Sequence, residues 1–205
     1  MALKGFVKKG QTGVSVVDHW PIFRQQIKAL TENRVLVGIP ESTTDREAQP
    51  GEPKTPITNA GIGLVMEKGS PAANIPPRPW LVPGIESIEK KIAERFQKAA
   101  EAALDGDMQA VKKGLESIGL MAQSAVREKI RSGPFQPLAE STLRARARRR
   151  AGTNRGFWAG VELERRAQGE LPSTEYAQPL IDTGAFVRAV NYVIRKRGGV
   201  NGSSP

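Results

Sequence analysis

Four prolines within one short stretch, Pro76, Pro77, Pro79 and Pro83, restrict the fold more than any other feature of this chain. Each fixes its own φ and drives the residue before it into extended geometry, so no helix can run through them. The residues just upstream read differently. Ile62, Val65 and Met66 share one face at helical spacing, Asn59 is the expected N-cap and Gly69 the expected stop. The central stretch at 59–83 is therefore a short helix, a sharp halt, and a stiff extended arm at 70–83 that ends in Trp80 and Leu81. Such an arm has little entropy to lose on docking against a neighbour. It can equally be a proline-rich loop pinned to its own core by Trp80.

On either side the apolar pattern alternates between helix and strand periods. Trp20, Phe23, Ile27 and Leu30 predict a helix that Asp18 caps, with Pro21 in its first turn. Residues 34–40 predict a strand closed by Pro40. The polar segment at 41–58 is a long loop, the kind that is functional or becomes ordered on assembly. Ile85, Ile88, Ile92 and Phe96 predict a helix over 84–103. Asp105-Gly106-Asp107 breaks it, and Asp107 caps a longer helix over 108–131. Gly114 and Gly119 weaken that helix by about 1 kcal/mol each relative to alanine, which points to a close neighbour there. A short basic helix follows over 139–150. Residues 151–179 are rich in glycine, proline and charge and resist a single assignment, apart from a helical turn or two near 158–166. A short helix over 185–190 and a strand at 192–194 close the ordered part.

The fold class expected is α+β, with helices packed on a small antiparallel sheet, long loops and a basic N-terminal arm. The expected organisation is a basic arm at 1–17, a core at 18–150, an insert at 151–179, a helix and strand returning to the core at 180–197, and a disordered tail at 198–205.

Composition narrows the chemistry. The chain has no cysteine and one histidine, His19, so thiolate metal sites and disulfides are excluded. No phosphate loop, nucleophile elbow or zinc spacing is present. Asp182-Thr183-Gly184 resembles the catalytic tripeptide of aspartic proteases, but there is no second copy, and a turn explains it better. No catalytic, cofactor-binding or metal-binding residue is expected, and no apolar run is long enough for a membrane span. The net charge of +10 favours an anionic partner. Arg144, Arg146, Arg148, Arg149 and Arg150 spread over more than half of a helix circumference. They are either a solvated helix end or a contact with DNA phosphate or an acidic partner.

Taken in order, the strand ending at Pro40, the helix ending Glu67-Lys68-Gly69, Ile75-Pro76-Pro77-Arg78-Pro79-Trp80-Leu81, and Leu180-Ile181-Asp182-Thr183-Gly184 resemble a family of tailed-bacteriophage neck and tail-completion proteins. The likeness spans roughly residues 34–195. Met66 and Lys68 stand where that family usually has His and Phe, and Trp80 where it has Phe. The resemblance implies a structural virion protein of the head–tail junction, not an enzyme. It implies a ring, a homo-oligomer expected to be a hexamer, assembled in the host cytoplasm beside the tail terminator and connector proteins, with packaged double-stranded DNA as a further candidate partner. On this reading Ile75, Pro77, Arg78, Trp80 and Leu81 carry subunit contacts, so losing Trp80 should harm assembly more than the monomer fold. The competing expectation is a non-specific DNA-binding accessory protein.

Overall fold

The computed structural model describes residues 6–9, 15–18, 20–40, 58–149 and 154–197. Most of the 41–58 loop, His19, Arg150 and the 198–205 tail lie outside them. In chain order the elements are β1 (Phe6–Lys9), β2 (Ser15–Asp18), α1 (Trp20–Thr31), β3 (Asn33–Gly38), α2 (Asn59–Lys68), α3 (Val82–Glu86), α4 (Glu89–Leu104), α5 (Met108–Ser132), α6 (Glu140–Arg149), α7 (Asn154–Ala167), α8 (Ala185–Ala189) and β4 (Asn191–Lys196). The fold is α+β, mainly helical with small two-stranded sheets. No helix among the described residues is long and apolar enough to cross a membrane.

The chain divides into two compact units. The first comprises the described parts of Met1–Leu36, Lys90–Leu120 and Val193–Pro205. Part of the expected N-terminal arm forms a hairpin there. β1 pairs antiparallel with β2, Phe6 opposite Asp18 and Lys9 opposite Ser15. Asp18 thus belongs to a strand rather than to the cap of α1. The apolar stripe of α1 is only partly covered. Trp20 and Phe23 remain exposed and stack on each other at 5.5 Å, while Leu30 joins Val35 and Ile194 around a core of Ala103, Val111 and Leu115. Asp107 caps α5 as expected, its carboxylate accepting from the Ala110 N–H at 2.8 Å. The close neighbour expected at Gly114 is Ala99 of α4. A Cβ on Gly114 would lie 3.0 Å from the Ala99 Cβ.

β3 pairs with β4 in the second two-stranded sheet. The Arg197 N–H, just past β4, bonds to the Glu32 carbonyl, just before β3, so the two strands run antiparallel.

The second unit comprises the described parts of Val37–Glu89 and Met121–Tyr192. Its main core gathers Trp80, Val126, Ile130, Leu180, Val187 and Val190, with Val37, Met66 and Phe186 packed around them. A second cluster, Leu138, Leu143, Ala159 and Ala177, lies between α6 and α7 and beneath the chain that follows them. α7 is a full helix of 14 residues where the sequence suggested only a turn or two. The helix expected over 84–103 is broken into α3 and α4. The Ser87 hydroxyl donates back to the Gly84 carbonyl at 2.7 Å, a local bond that competes with helix continuation.

Gly84 lets α3 approach the backbone of α5 closely. A Cβ there would stand 2.9 Å from Val126 Cα and 3.2 Å from Val126 Cγ2. Backbone cannot yield as a side-chain tip can, so Gly84→Ala is expected to cost about 1–3 kcal/mol. Urea unfolding measures it, and an unchanged midpoint would mean that α3 can slide off α5 without loss.

Candidate functional site

The proline segment has a two-residue period, as an extended chain should. Pro77 and Pro79 are exposed, whereas Arg78 and Trp80 between and after them are buried, at 6% and 3% exposure. Arg78 turns inward and donates from Nε to the Gln136 carbonyl at 3.0 Å and from Nη2 to the Pro137 carbonyl at 3.2 Å. Burial pulls its pKa down from the ordinary arginine value. Trp80 inserts against α2. Its indole N–H donates to the Gly63 carbonyl at 3.0 Å, and its ring meets Phe186 edge to face at 5.1 Å. Gly63 leaves room for that ring, since a Cβ would stand 3.1 Å from it. Arg78 and Trp80 therefore serve the chain's own core. Of the residues expected at a subunit interface, Pro77 is exposed and Ile75 and Leu81 are half-buried.

Glu67 holds the end of this segment. Its carboxylate accepts the backbone N–H groups of Trp80 and Leu81 at 2.7 and 2.9 Å on one oxygen and of Val82 at 3.1 Å on the other. These donors at the entry to α3 are otherwise unsatisfied by the helix itself. The sequence offered a signal for this, an acidic residue just before the Gly69 stop, but not its partners. The cap of α2 also shifts by one residue: Thr58 Oγ1, not Asn59, accepts from the Gly61 N–H.

The arginines of α6 separate by helix face. Arg144 and Arg148, one turn apart, are exposed, and Arg144 pairs with Glu140 at 3.0 Å. Arg146 is buried at 5% exposure, contrary to a role as an outward contact. It donates to the Gln178 carbonyl at 3.0 Å and faces Asp182 Oδ1 at 3.5 Å. Arg149 reaches Asp182 Oδ2 at 3.9 Å. Arg150 lies outside the described residues.

Asp182-Thr183-Gly184 forms a turn. Thr183 Oγ1 accepts from the Ala185 N–H at 3.1 Å, and Gly184 takes the left-handed conformation at φ 78°. Two more guanidinium groups converge on this turn. Arg155, at the start of α7, donates to the Asp182 carbonyl, and Arg188 Nη1 lies 3.5 Å from the Thr183 carbonyl. Arg146 and Arg149 thus face the Asp182 carboxylate, while Arg155 and Arg188 reach backbone carbonyls of the same turn, so four guanidinium groups converge on this corner. Arg155 and Arg188 are exposed. Beside the turn lies an open cavity of about 230 Å³, lined by the apolar Ile62, Met66 and Phe186 and by the polar Asn59, Arg149 and Thr183.

This arrangement can bind an anionic group beside an apolar wall. Among the described residues it contains no nucleophile–base pair. Among the described residues no cluster of His, Asp and Glu is large enough to hold a metal ion. The arginine run in the sequence pointed to the corner, but Arg155 and Arg188 reach it from elements distant in sequence and were missed. No protein-family model matches the chain, and no curated protein sequence or solved structure is significantly similar to it.

Proposed function

We propose that this chain is a structural subunit of the head–tail junction of a tailed bacteriophage, a neck or tail-completion protein that assembles into a ring. One observation supports this reading above the others. Three of the segments that carry the resemblance meet in one core: Met66 of α2, Trp80 of the proline segment and Leu180 before the Asp-Thr-Gly turn. Motifs that act as mutual packing partners specify an architecture, and architecture is what a family of assembly proteins shares. Arg78, Trp80 and Asp182 accordingly build the subunit, and contact between subunits falls to Pro77 with the edges of Ile75 and Leu81. A hexamer on the tail's sixfold axis remains the expected ring. The tail terminator and connector would adjoin it. Exposed Arg144, Arg148, Arg155 and Arg188 suit packaged DNA or acidic faces of those rings.

Particles assembled without the protein should accumulate as separate heads and tails, or carry tails with aberrant ends, in electron micrographs. Normal infectious particles would end this reading. The same exposed arginines favour the second reading, a free DNA-binding accessory protein. That protein would remain a monomer or dimer and bind duplex DNA with a steep salt dependence.

A further inference from the structure

Helix α7 turns Gly156, Ala159 and Glu162 inward and presents two large aromatic rings to solvent. Phe157 is 63% exposed and Trp158 43%. They are parts of one ladder. Phe157 meets Trp158 edge to face at 5.1 Å, Trp158 stacks on Tyr176 at 5.5 Å and 27°, and the Arg165 guanidinium sits 5.1 Å from the Tyr176 ring centre. A preassembled ladder of rings in water is costly to leave uncovered and marks a docking surface.

Charge argues against nucleic acid as its occupant. Bases stack on such ladders where the surroundings are basic enough to hold the phosphates. Residues 154–176 carry Arg155, Arg165 and Arg166 against Glu162, Glu164, Glu170 and Glu175, so they lack the excess of positive charge found in the whole chain. Arg165 is itself paired with Glu162 and Glu170. The ladder suits an uncharged, preformed ligand. Proline in extended geometry is such a ligand, because its ring lies flat on aromatic faces and its backbone is already ordered.

The same unit displays one. Pro77 and Pro79 project outward at alternate positions, while Arg78, the only charged residue from 70 to 83, is buried. Ladder and proline edge are both exposed, so they do not cover each other within one chain. We infer that the Pro77–Pro79 edge of one subunit docks on the Phe157–Trp158–Tyr176 ladder of a second copy of this chain. Two different patches joined head to tail make the heterologous contact that closes a ring. This inference rests on the ring reading above and supplies the counterpart surface that reading leaves open.

The absence of cysteine makes the test clean. Ala73→Cys places a thiol on an exposed turn four residues before Pro77, and Asn154→Cys places one a helical turn before Trp158. The two full-length variants are mixed, treated with a short bismaleimide, and followed by gel and by sedimentation velocity. The expected result is a linked heterodimer from the mixture and none from either variant alone. Adding Trp158→Ala to the Asn154→Cys chain should reduce that product at least tenfold. Oligomers without the link, or a link indifferent to Trp158→Ala, overturn the docking and leave the ring reading standing. A chain that stays monomeric at every concentration overturns both. A Trp158-dependent mobility shift with single-stranded DNA, without self-linking, overturns the docking in favour of a nucleic-acid ligand.

Discussion

Glu162→Ala is expected to lower the stability of the second unit by about 3–5 kcal/mol, the usual cost of removing one partner from a buried ion pair. Glu162 has no exposed surface. One carboxylate oxygen accepts from Arg166 Nε at 2.9 Å and from the Ser173 N–H at 2.8 Å, and the other from Arg165 Nη1 at 3.0 Å. Arg166 continues to the Leu138 carbonyl at 2.8 Å. A single carboxylate thus links α7 to the chain before α6 and to the loop after α7. Truncation leaves Arg166 largely buried without its counter-charge and the Ser173 N–H without an acceptor. The exposed neighbour Glu164 is the control, expected to cost less than about 0.5 kcal/mol as alanine. Urea unfolding followed by circular dichroism measures both. A Glu162→Ala loss under about 1 kcal/mol would show that the α6–α7 cluster stands on apolar packing alone.

The same residue predicts a pH dependence. Burial pushes the Glu162 carboxyl up, but the Ser173 N–H and the charges of Arg166 and Arg165 outweigh burial and hold it below the usual carboxylate range. A folded-state pKa below the unfolded one gives stability that is complete above the unfolded value and fades as pH falls through the folded value. Stability should therefore decline from about pH 4 downward. Glu162→Gln should be less stable at neutral pH and lose less over that acid range.

How far the sequence anticipated this depends on how local each signal is. α5 and its Asp107 cap, β3, the stop at Gly69 and the extended proline segment follow from periodicity and from φ restriction, which act within a few residues. The failures involve distant partners. Arg146 looks like one of five equivalent helix arginines until Asp182, far along the chain, supplies the charge that lets it be buried. α7 carries Gly156 and Gly160, which weaken any isolated helix, and it gains its stability by packing Ala159 against Leu143 and Leu138. The spacing of Glu162 to Arg165 and Arg166 was visible, but ion pairs at three and four residues are commonly solvent-exposed and weak. Only the fold decides that this one is interior. Likewise nothing local says which side of an extended segment faces inward, so Trp80 could be read as a free tip.

Trp80→Ala is accordingly expected to damage the subunit before it damages any assembly. The indole is 3% exposed, at the centre of a core with Val126, Ile130, Leu180 and Val187. Removing it deletes the edge-to-face contact with Phe186, the bond to the Gly63 carbonyl and the filling of the largest volume in that cluster. Tryptophan or phenylalanine to alanine at such sites costs about 3–5 kcal/mol, and Gly63 beside it offers no side chain to fill the gap. Trp80→Phe separates the contributions. It keeps most of the volume and removes the indole bond to the Gly63 carbonyl, for an expected loss of about 1–3 kcal/mol. Pro77→Ala, on the outward side of the same segment, should change unfolding by less than about 1 kcal/mol. If that edge meets a neighbouring subunit, Pro77→Ala should still weaken self-association. Unfolding and sedimentation measured on these three variants therefore assign the two faces of one segment. Loss of association by Trp80→Ala with unfolding unchanged would return Trp80 to the interface and displace it from the core.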